Sequence, residues 1–173
     1  MTDLKKFIRD IPDFPREGII FHDITPLLQN AGAFEAAIEG MAEMLAGRDI
    51  DFLVGIESRG FIFASALAIK LRTGLVIVRK PGKLPHVTIN VSYDLEYGSD
   101  SLEVHRDAIH HGSKVILIDD LLATGGTAKA AGDLISKLGG EVAGYCFLVE
   151  LTELGGENKL APHPVWSVVK YEV

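Results

Sequence analysis

The stretch VILIDDLLATGGT, at positions 115–127, decides the fold because it joins an apolar run to two adjacent acids and a glycine-rich turn. Its first four residues predict a buried strand, since an unbroken series of branched apolar residues leaves no polar face. Three more apolar runs, at 52–56, 75–78 and 142–149, predict further strands of the same kind. Helical patterns alternate with these runs, and the alternation predicts a doubly wound α/β fold with a mainly parallel sheet.

Three segments between the predicted strands have the periodicity of helices. Apolar residues recur at helical spacing through 34–45 and stop at Gly47, and a nearly all-apolar helix is predicted for 61–71, ended by Gly74. The helix after the glycine-rich turn is stopped by the glycine pair at 139–140, and its buried stripe is formed by Ala131, Leu134, Ile135 and Leu138.

Length and composition indicate one globular domain. A chain of 173 residues with 47% hydrophobic residues can bury one core, so we expect a single domain over 1–173. The net charge of -7 argues against a nucleic acid or an anionic membrane as partner. No apolar run approaches the length of a membrane span, and we expect a cytoplasmic protein whose one cysteine, Cys146, is a buried structural thiol.

One stretch departs from the pattern of buried strands. From Val87 to Tyr97 apolar and polar residues alternate, which predicts a half-exposed strand. It follows the segment RKPGKLP at 79–85, where three basic residues gather in an acidic protein. We therefore predict a projecting flap over about 80–104.

The candidate site lies where the 115–118 strand ends. Ligands of parallel sheets bind beyond the carboxyl ends of the strands, so Asp119 and Asp120 are expected there, outside the packed core. The small residues at 123–127 precede a helix, and their backbone N–H groups can bind a phosphate. Two carboxylates beside a phosphate need a neutral or cationic partner, such as ribose hydroxyls or Mg²⁺.

Other classes of site use similar segments. A Walker loop requires a lysine before the hydroxyl residue, and a dinucleotide fingerprint requires G-x-G-x-x-G; both patterns are absent from 115–127. A receiver domain also has acids at a strand end, but it needs no glycine-rich turn after them. A plain strand-to-helix turn with solvated acids remains as the structural alternative.

The segment VILIDDLLATGGT closely resembles the PRPP (phosphoribosyl diphosphate) motif of the type I phosphoribosyltransferases. The resemblance extends to the adenine phosphoribosyltransferases in particular, through IPDFPREGIIFHDITPLL at 11–28, ESRGF at 57–61, RKPGKLP at 79–85, YDLEYG at 93–98, VELTELGG and NKLAP. It implies that the domain carries a small N-terminal hood at about 1–30 and that the chain forms a homodimer. The implied reaction transfers the 5-phosphoribosyl group from PRPP to adenine with Mg²⁺, giving AMP and pyrophosphate.

The same resemblance implies the site residues. The acid pair would contact the ribose hydroxyls, the following turn the 5-phosphate, and the ESRG segment and the flap lysines the pyrophosphate. The implied PRPP-binding residues are Ser58, Arg59, Lys80, Asp119, Asp120, Ala123, Thr124, Gly125, Gly126 and Thr127. The implied catalytic residues are Arg59, Lys83 and Glu96, with Glu96 as general acid/base. The metal would be held mainly by PRPP, with Asp119 or Asp120 bound to it directly or through water.

Adenine recognition is assigned by the resemblance to Ile20, Phe21 and His22 in the hood. Phe21 would stack on the base while backbone groups near Ile20 bind the 6-amino edge. Family members often carry Arg or Lys in place of His22, so a basic role there would need a carboxylate such as Asp23 to hold the proton.

Several alternatives remain open. Arg59 could form an ordinary ion pair, Lys80 and Lys83 could be solvated surface lysines, Phe21 could be core packing, and Glu96 could be one polar residue on a wet face. At the level of function, the alternatives are a regulator that binds PRPP without turnover and a transferase for another purine such as xanthine.

Overall fold

The computed structural model describes residues 2–94 and 99–172. In chain order the strands are β1 Arg9–Pro12, β2 Ile20–Asp23, β3 Phe52–Ile56, β4 Gly74–Val78, β5 Thr88–Asp94, β6 Ser99–His105, β7 Lys114–Leu122, β8 Glu141–Leu151 and β9 Val165–Tyr171. The α-helices are α1 Thr25–Gln29, α2 Ala31–Leu45, α3 Gly60–Leu71, α4 Gly126–Lys137 and α5 Gly156–Leu160.

The central sheet has the order β4-β3-β7-β8-β9, and all four pairings are parallel. Each of the four strands predicted from apolar runs belongs to this sheet. Helices α2 and α3 cover one face and α4 covers the other, so apolar residues of the strands are buried on both sides. The doubly wound α/β fold is thereby confirmed, and the unbroken apolar runs are explained by this two-sided burial.

The predicted end of the second helix at Leu71 is confirmed, but the residue predicted to close it, Gly74, is wrong. Helix α3 ends at Leu71, and Arg72 takes the left-handed conformation that closes it, with φ 57°. Gly74 instead begins β4, where a Cβ atom would lie 2.5 Å from the ring of Phe52. Glycine at this position is therefore required by a close strand contact rather than by a helix cap.

Two small hairpins stand apart from the central sheet. In the N-terminal hairpin β1 pairs antiparallel with β2, and in the second β5 pairs antiparallel with β6. The second hairpin occupies part of the region predicted as a flap. Its first strand alternates as predicted around Val91, which is buried whereas Asn90 and Ser92 are exposed; Val87 precedes the strand and is exposed, and positions 95–97 lie outside the described residues. Buried residues of this hairpin share a core with those of α4.

Cys146 lies on β8 and is fully buried, as predicted. Burial raises the pKa of its thiol to about 12, because an apolar environment disfavours the thiolate. Within residues 2–94 and 99–172, no helix is both long and apolar enough to cross a membrane.

Candidate active site

The two acids lie within β7 and not after it. The predicted strand ends at Ile118, but β7 continues to Leu122 because β8 keeps pairing with it on one side. On the other side β3 pairs only with positions 115–118. Asp119 and Asp120 are therefore held by regular strand structure and still face the loop that follows β3.

Asp120 is buried, with 7% of its side chain exposed, and its Oδ2 lies 2.9 Å from Nε of Arg59. Asp119 is partly buried, and its Oδ1 accepts a hydrogen bond from the backbone N–H of Asp120 at 2.9 Å. The expectation that both acids lie outside the packed core is wrong for Asp120, because the strand continues past it and Arg59 covers it.

The environment of the two carboxyl groups disfavours their charges. Burial raises the pKa of Asp119 well above its usual range, and the neighbouring charge of Asp120 raises it further. Burial also raises the pKa of Asp120, against the lowering effect of the Arg59 charge. Such a pair is stabilised by any hydroxyl donor or cation that enters the site.

Gly60 brings the loop after β3 into direct contact with the acid pair. A Cβ atom at this position would lie 2.8 Å from Oδ1 of Asp119 and 2.8 Å from the carbonyl oxygen of Ile118. Gly60 thus permits the close approach of this loop to β7. It holds Ser58 and Arg59 beside the acids.

The glycine-rich turn ends where α4 begins, at Gly126. Gly125 has φ 78°, which favours glycine, and a Cβ atom there would lie 2.7 Å from the carbonyl oxygen of Gly156. The turn thus rests on the start of α5, and the positive end of the α4 dipole points into the space beside Asp119. This geometry is suited to binding an anion.

Glu57 connects the loop after β3 to the base of the predicted flap. Its carboxylate accepts hydrogen bonds from the backbone N–H of Lys80 at 2.9 Å, from Nε of Arg79 at 3.3 Å, and from Nζ of Lys83. Lys80 Nζ in turn lies 2.6 Å from Oδ2 of Asp100. Both flap lysines are therefore paired with carboxylates.

A cavity of about 410 Å³ is enclosed by these segments. It is lined by Glu57, Ser58, Arg59, Lys80, Tyr93, Asp100, Leu102, Asp119, Asp120, Leu121, Leu122, Ala123, Thr124, Gly125, Gly126, Thr127 and Ala128. All ten residues predicted to bind PRPP are in this set. Lys83 does not line the cavity, but its Nζ donates a hydrogen bond to Glu57, which does.

Ile20, Phe21 and His22 are outside the lining of this cavity, and of the three, Phe21 contacts a lining residue, Arg59. The Phe21 ring is 5.4 Å from the guanidinium carbon of Arg59 and packs edge-on against Phe14. Ile20 is about half exposed. The partner predicted for His22 is wrong: its Nδ1 lies 2.7 Å from Oδ1 of Asp10.

Asp23 is engaged elsewhere. Its carboxylate accepts hydrogen bonds from the backbone N–H and the hydroxyl of Thr25, at 2.9 and 2.8 Å. His22 stacks on Tyr171, with ring centroids 3.9 Å apart. The side chains of His22 and Phe21 therefore have separate surroundings, as expected for neighbours on a strand.

Sequence reasoning missed two polar side chains of the cavity, those of Tyr93 and Asp100, and one predicted residue falls outside the described residues. Tyr93 OH lies 3.3 Å from Oγ1 of Thr127, and Asp100 faces Lys80. Tyr93 begins the quoted YDLEYG segment, which could have identified it, whereas Asp100 has no signal in its neighbours. Glu96, predicted as the general acid/base, lies outside the described residues.

Known proteins resemble this chain over nearly its whole length. The phosphoribosyl transferase domain family matches residues 25–171. An adenine phosphoribosyltransferase of Pseudothermotoga lettingae is 59% identical over 98% of this chain and 99% of its own.

Solved structures agree with these sequence matches. The adenine phosphoribosyltransferase of Thermoanaerobacter pseudethanolicus has a TM-score of 0.95 at 50% identity, covering 98% of each chain. The Saccharomyces cerevisiae enzyme, complexed with an imino-altritol bisphosphate and adenine, has a TM-score of 0.90 at 43% identity, covering 96% of each chain.

Proposed function

This chain belongs to the phosphoribosyltransferase family, among its adenine phosphoribosyltransferases, and we propose that the cavity beside β7 is where it joins adenine to the ribose of PRPP. The products are AMP and pyrophosphate. One observation carries the assignment of the site: the acid pair, the glycine-rich turn and Arg59 surround a single cavity.

The 5-phosphate of PRPP binds, in this proposal, to the turn at 123–127. The backbone N–H groups at the start of α4 and the positive end of its dipole favour a dianion there. The hydroxyl groups of Thr124 and Thr127 line the same space. Gly125 supports the proposal, because its left-handed conformation turns the chain immediately before the helix.

The ribose hydroxyls donate hydrogen bonds to Asp119 and Asp120. The raised pKa of both carboxyl groups supports this role. A hydroxyl that donates to a carboxylate stabilises its charged form, so the ribose hydroxyls offset the effect of burial on the two carboxylates. Binding of the sugar is thereby coupled to ionisation of the pair.

The pyrophosphate is bound by Ser58, Arg59 and Lys80, with Lys83 closing from the flap. Arg59 supports this role because its Nε faces Asp120 and the guanidinium carries further N–H donors that can bind phosphate oxygens. Positive charge at this end of the cavity stabilises the leaving group in the transition state.

Mg²⁺ is expected with PRPP, and the carboxylates of the site fit this ion in part. Among the described residues, no group of three or more His, Cys, Asp and Glu side chains is arranged to hold a metal. Mg²⁺ commonly takes one or two carboxylates together with phosphate oxygens and water, and the pair Asp119 and Asp120 fits that partial set. We propose that PRPP holds the ion mainly, with Asp119 or Asp120 bound directly or through water. When bound, the ion neutralises charge on the departing pyrophosphate.

The reaction is a displacement at C1′ of PRPP. The bond between adenine N9 and C1′ forms as the bond between C1′ and the pyrophosphate oxygen breaks, with inversion and an oxocarbenium-like transition state. The proton lost from the imidazole ring is accepted by Glu96. Catalysis comes mainly from positioning and from charge stabilisation by Arg59 and Lys83, so no protein nucleophile is required.

Adenine binds between the hood and the cavity, against Phe21. The contact of Phe21 with Arg59 supports this, because it brings an aromatic face next to the proposed pyrophosphate site. Backbone groups of Ile20 and His22 select the 6-amino edge. The yeast relative, whose structure contains adenine and a bisphosphate, is consistent with a base site and a phosphate site in one fold.

A homodimer is part of the proposal. Helix α3 and the edge strand β4 expose large apolar residues: Ile62, Ile69, Leu75 and Ile77. Ile69 is 82% exposed, and an apolar group of this kind on a soluble fold commonly marks an interface. Ile69→Lys should yield a monomer in sedimentation analysis, and an unchanged mass would contradict this interface.

The test of the function is pyrophosphate release from PRPP with Mg²⁺, measured separately with adenine, hypoxanthine, guanine and xanthine. We expect release with adenine. Release with another purine alone would retain the PRPP site and refute the hood assignment. Binding of PRPP without turnover for any base would favour the regulator.

A further inference from the structure

The ammonium group that faces the proposed pyrophosphate site already has a partner. Lys80 Nζ donates to Oδ2 of Asp100 at 2.6 Å, which joins the segment after β4 to strand β6. The backbone N–H of Lys80 donates to Glu57, which fixes the main chain at the same point. Lys80 is thus held at both ends, and Asp100 controls where its charge lies.

Asp100 also connects the hairpin to the phosphate turn. Its Oδ1 accepts from the backbone N–H of Ser101 at 2.8 Å, and its Oδ2 lies 3.5 Å from Tyr93 OH. Tyr93 OH in turn lies 3.3 Å from Oγ1 of Thr127. Lys80, Asp100, Tyr93 and Thr127 all line the cavity.

Both members of the ion pair are charged at neutral pH. The hydrogen bond to Asp100 raises the pKa of Lys80, and the same bond lowers the pKa of Asp100. An incoming anion therefore meets a lysine whose charge is compensated and a carboxylate that repels it. Asp100 has 22% of its side chain exposed, so this charge is only partly screened by water.

We propose that Asp100 is a positioning residue that sets the affinity for the pyrophosphate group by competing for Lys80. It acts as a resident counter-ion, which the pyrophosphate group of PRPP, or product pyrophosphate, displaces from the ammonium. The inference rests on the proposed function, since it requires that Lys80 bind this group. Its consequence is weaker binding of substrate and product and easier release of pyrophosphate.

The variant Asp100→Asn tests this inference, because it keeps the size of the side chain and the acceptor for Ser101. We expect the dissociation constants of PRPP and of inorganic pyrophosphate, each with Mg²⁺, to fall by about two- to fivefold, the range of a partly exposed ion pair. The KM for adenine should stay unchanged. The direction is diagnostic, since loss of a purely structural contact would weaken binding.

The matched control is Asp107→Asn. Asp107 is exposed, lies 3.9 Å from His86 and is outside the cavity lining. Its exchange to Asn therefore removes one negative charge without touching Lys80. Equal tightening in both variants would assign the effect to net charge and overturn the inference. Unchanged or weaker binding in Asp100→Asn alone would overturn it as well.

A second background shows whether the effect passes through Lys80. In Lys80→Met, the further exchange Asp100→Asn should leave pyrophosphate affinity unchanged. Tighter pyrophosphate binding in that double variant would overturn the proposal that Asp100 competes for Lys80. The outcomes also separate the two proposals. Tight PRPP binding by the parent with no effect of Asp100→Asn refutes this inference alone, whereas a parent that binds neither ligand refutes the proposed function.

Discussion

Replacing Gly60 with alanine should damage the site more than the fold. The added Cβ atom would lie 2.8 Å from Oδ1 of Asp119, 2.8 Å from the carbonyl oxygen of Ile118 and 3.1 Å from Cα of Asp119. The carbonyl belongs to β7 at a position where both neighbouring strands pair with it, so it has little freedom to move. The start of α3 must shift instead, and Arg59 with it.

The expected magnitudes follow from this geometry. Overpacking by one methyl group in a closely packed region costs about 1–3 kcal/mol of the free energy of unfolding. A displacement of about 1 Å of groups that position a substrate can cost about 10²-fold in rate. We therefore expect kcat/KM to fall by roughly two orders of magnitude while the variant remains folded at room temperature.

Urea unfolding and steady-state kinetics with PRPP and adenine measure the two effects. The control is Gly32→Ala in α2, where the nearest atom to the new Cβ is Oδ1 of Asn30 at 3.6 Å. Its free energy of unfolding should be unchanged or higher by up to about 1 kcal/mol, from helix propensity. If Gly60→Ala matches the parent in both stability and kcat/KM, the close contact between the loop and the acid pair is refuted.

Three further predictions test separate features. Asp119→Asn should stabilise the fold by about 1–2 kcal/mol at about pH 8 while abolishing turnover. Because the pKa of Asp119 is raised in the folded state, its charge costs stability as pH rises above the unfolded value, so the gain should vanish by about pH 4 in urea unfolding. Cys146 should resist a thiol reagent in the native protein and react after unfolding in guanidinium chloride; labelling of the native form would contradict its burial and its pKa of about 12. His22→Phe should retain the stacking on Tyr171 and the KM for adenine, whereas His22→Ala should lose about 0.5–1.5 kcal/mol of stability in the same unfolding assay; a raised KM in His22→Phe would show that the imidazole contacts the base.

The sequence predicted the sheet and the glycine-rich turn before α4 because both depend on local patterns. A run such as 115–118 must be buried on two sides, and a turn such as 123–127 must precede a helix, whatever the distant chain does. The same patterns placed Asp119 and Asp120 at the right edge of the sheet. They could not show that β7 continues through the acids, since its length is determined by pairing with β8.

The sequence could not predict side-chain partners that depend on strand register. Asp10 lies opposite His22 in the β1–β2 hairpin, and this pairing, not closeness in sequence, selects it over Asp23. Asp100 meets Lys80 only because the β5–β6 hairpin folds back toward the base of the flap. In both cases the missing information is tertiary.

The contact between the glycine-rich turn and the start of α5 makes the turn depend on a segment that is synthesised later. A Cβ atom on Gly125 would collide with the carbonyl oxygen of Gly156, and one on Gly156 with that of Ala123, so each segment supports the other. A nascent chain that has emerged from the ribosome only as far as α4 contains the whole motif at 115–127, but it lacks the segment on which the turn rests. Since domains fold from the N-terminus as they emerge, the turn gains this support only after α5 has left the ribosome.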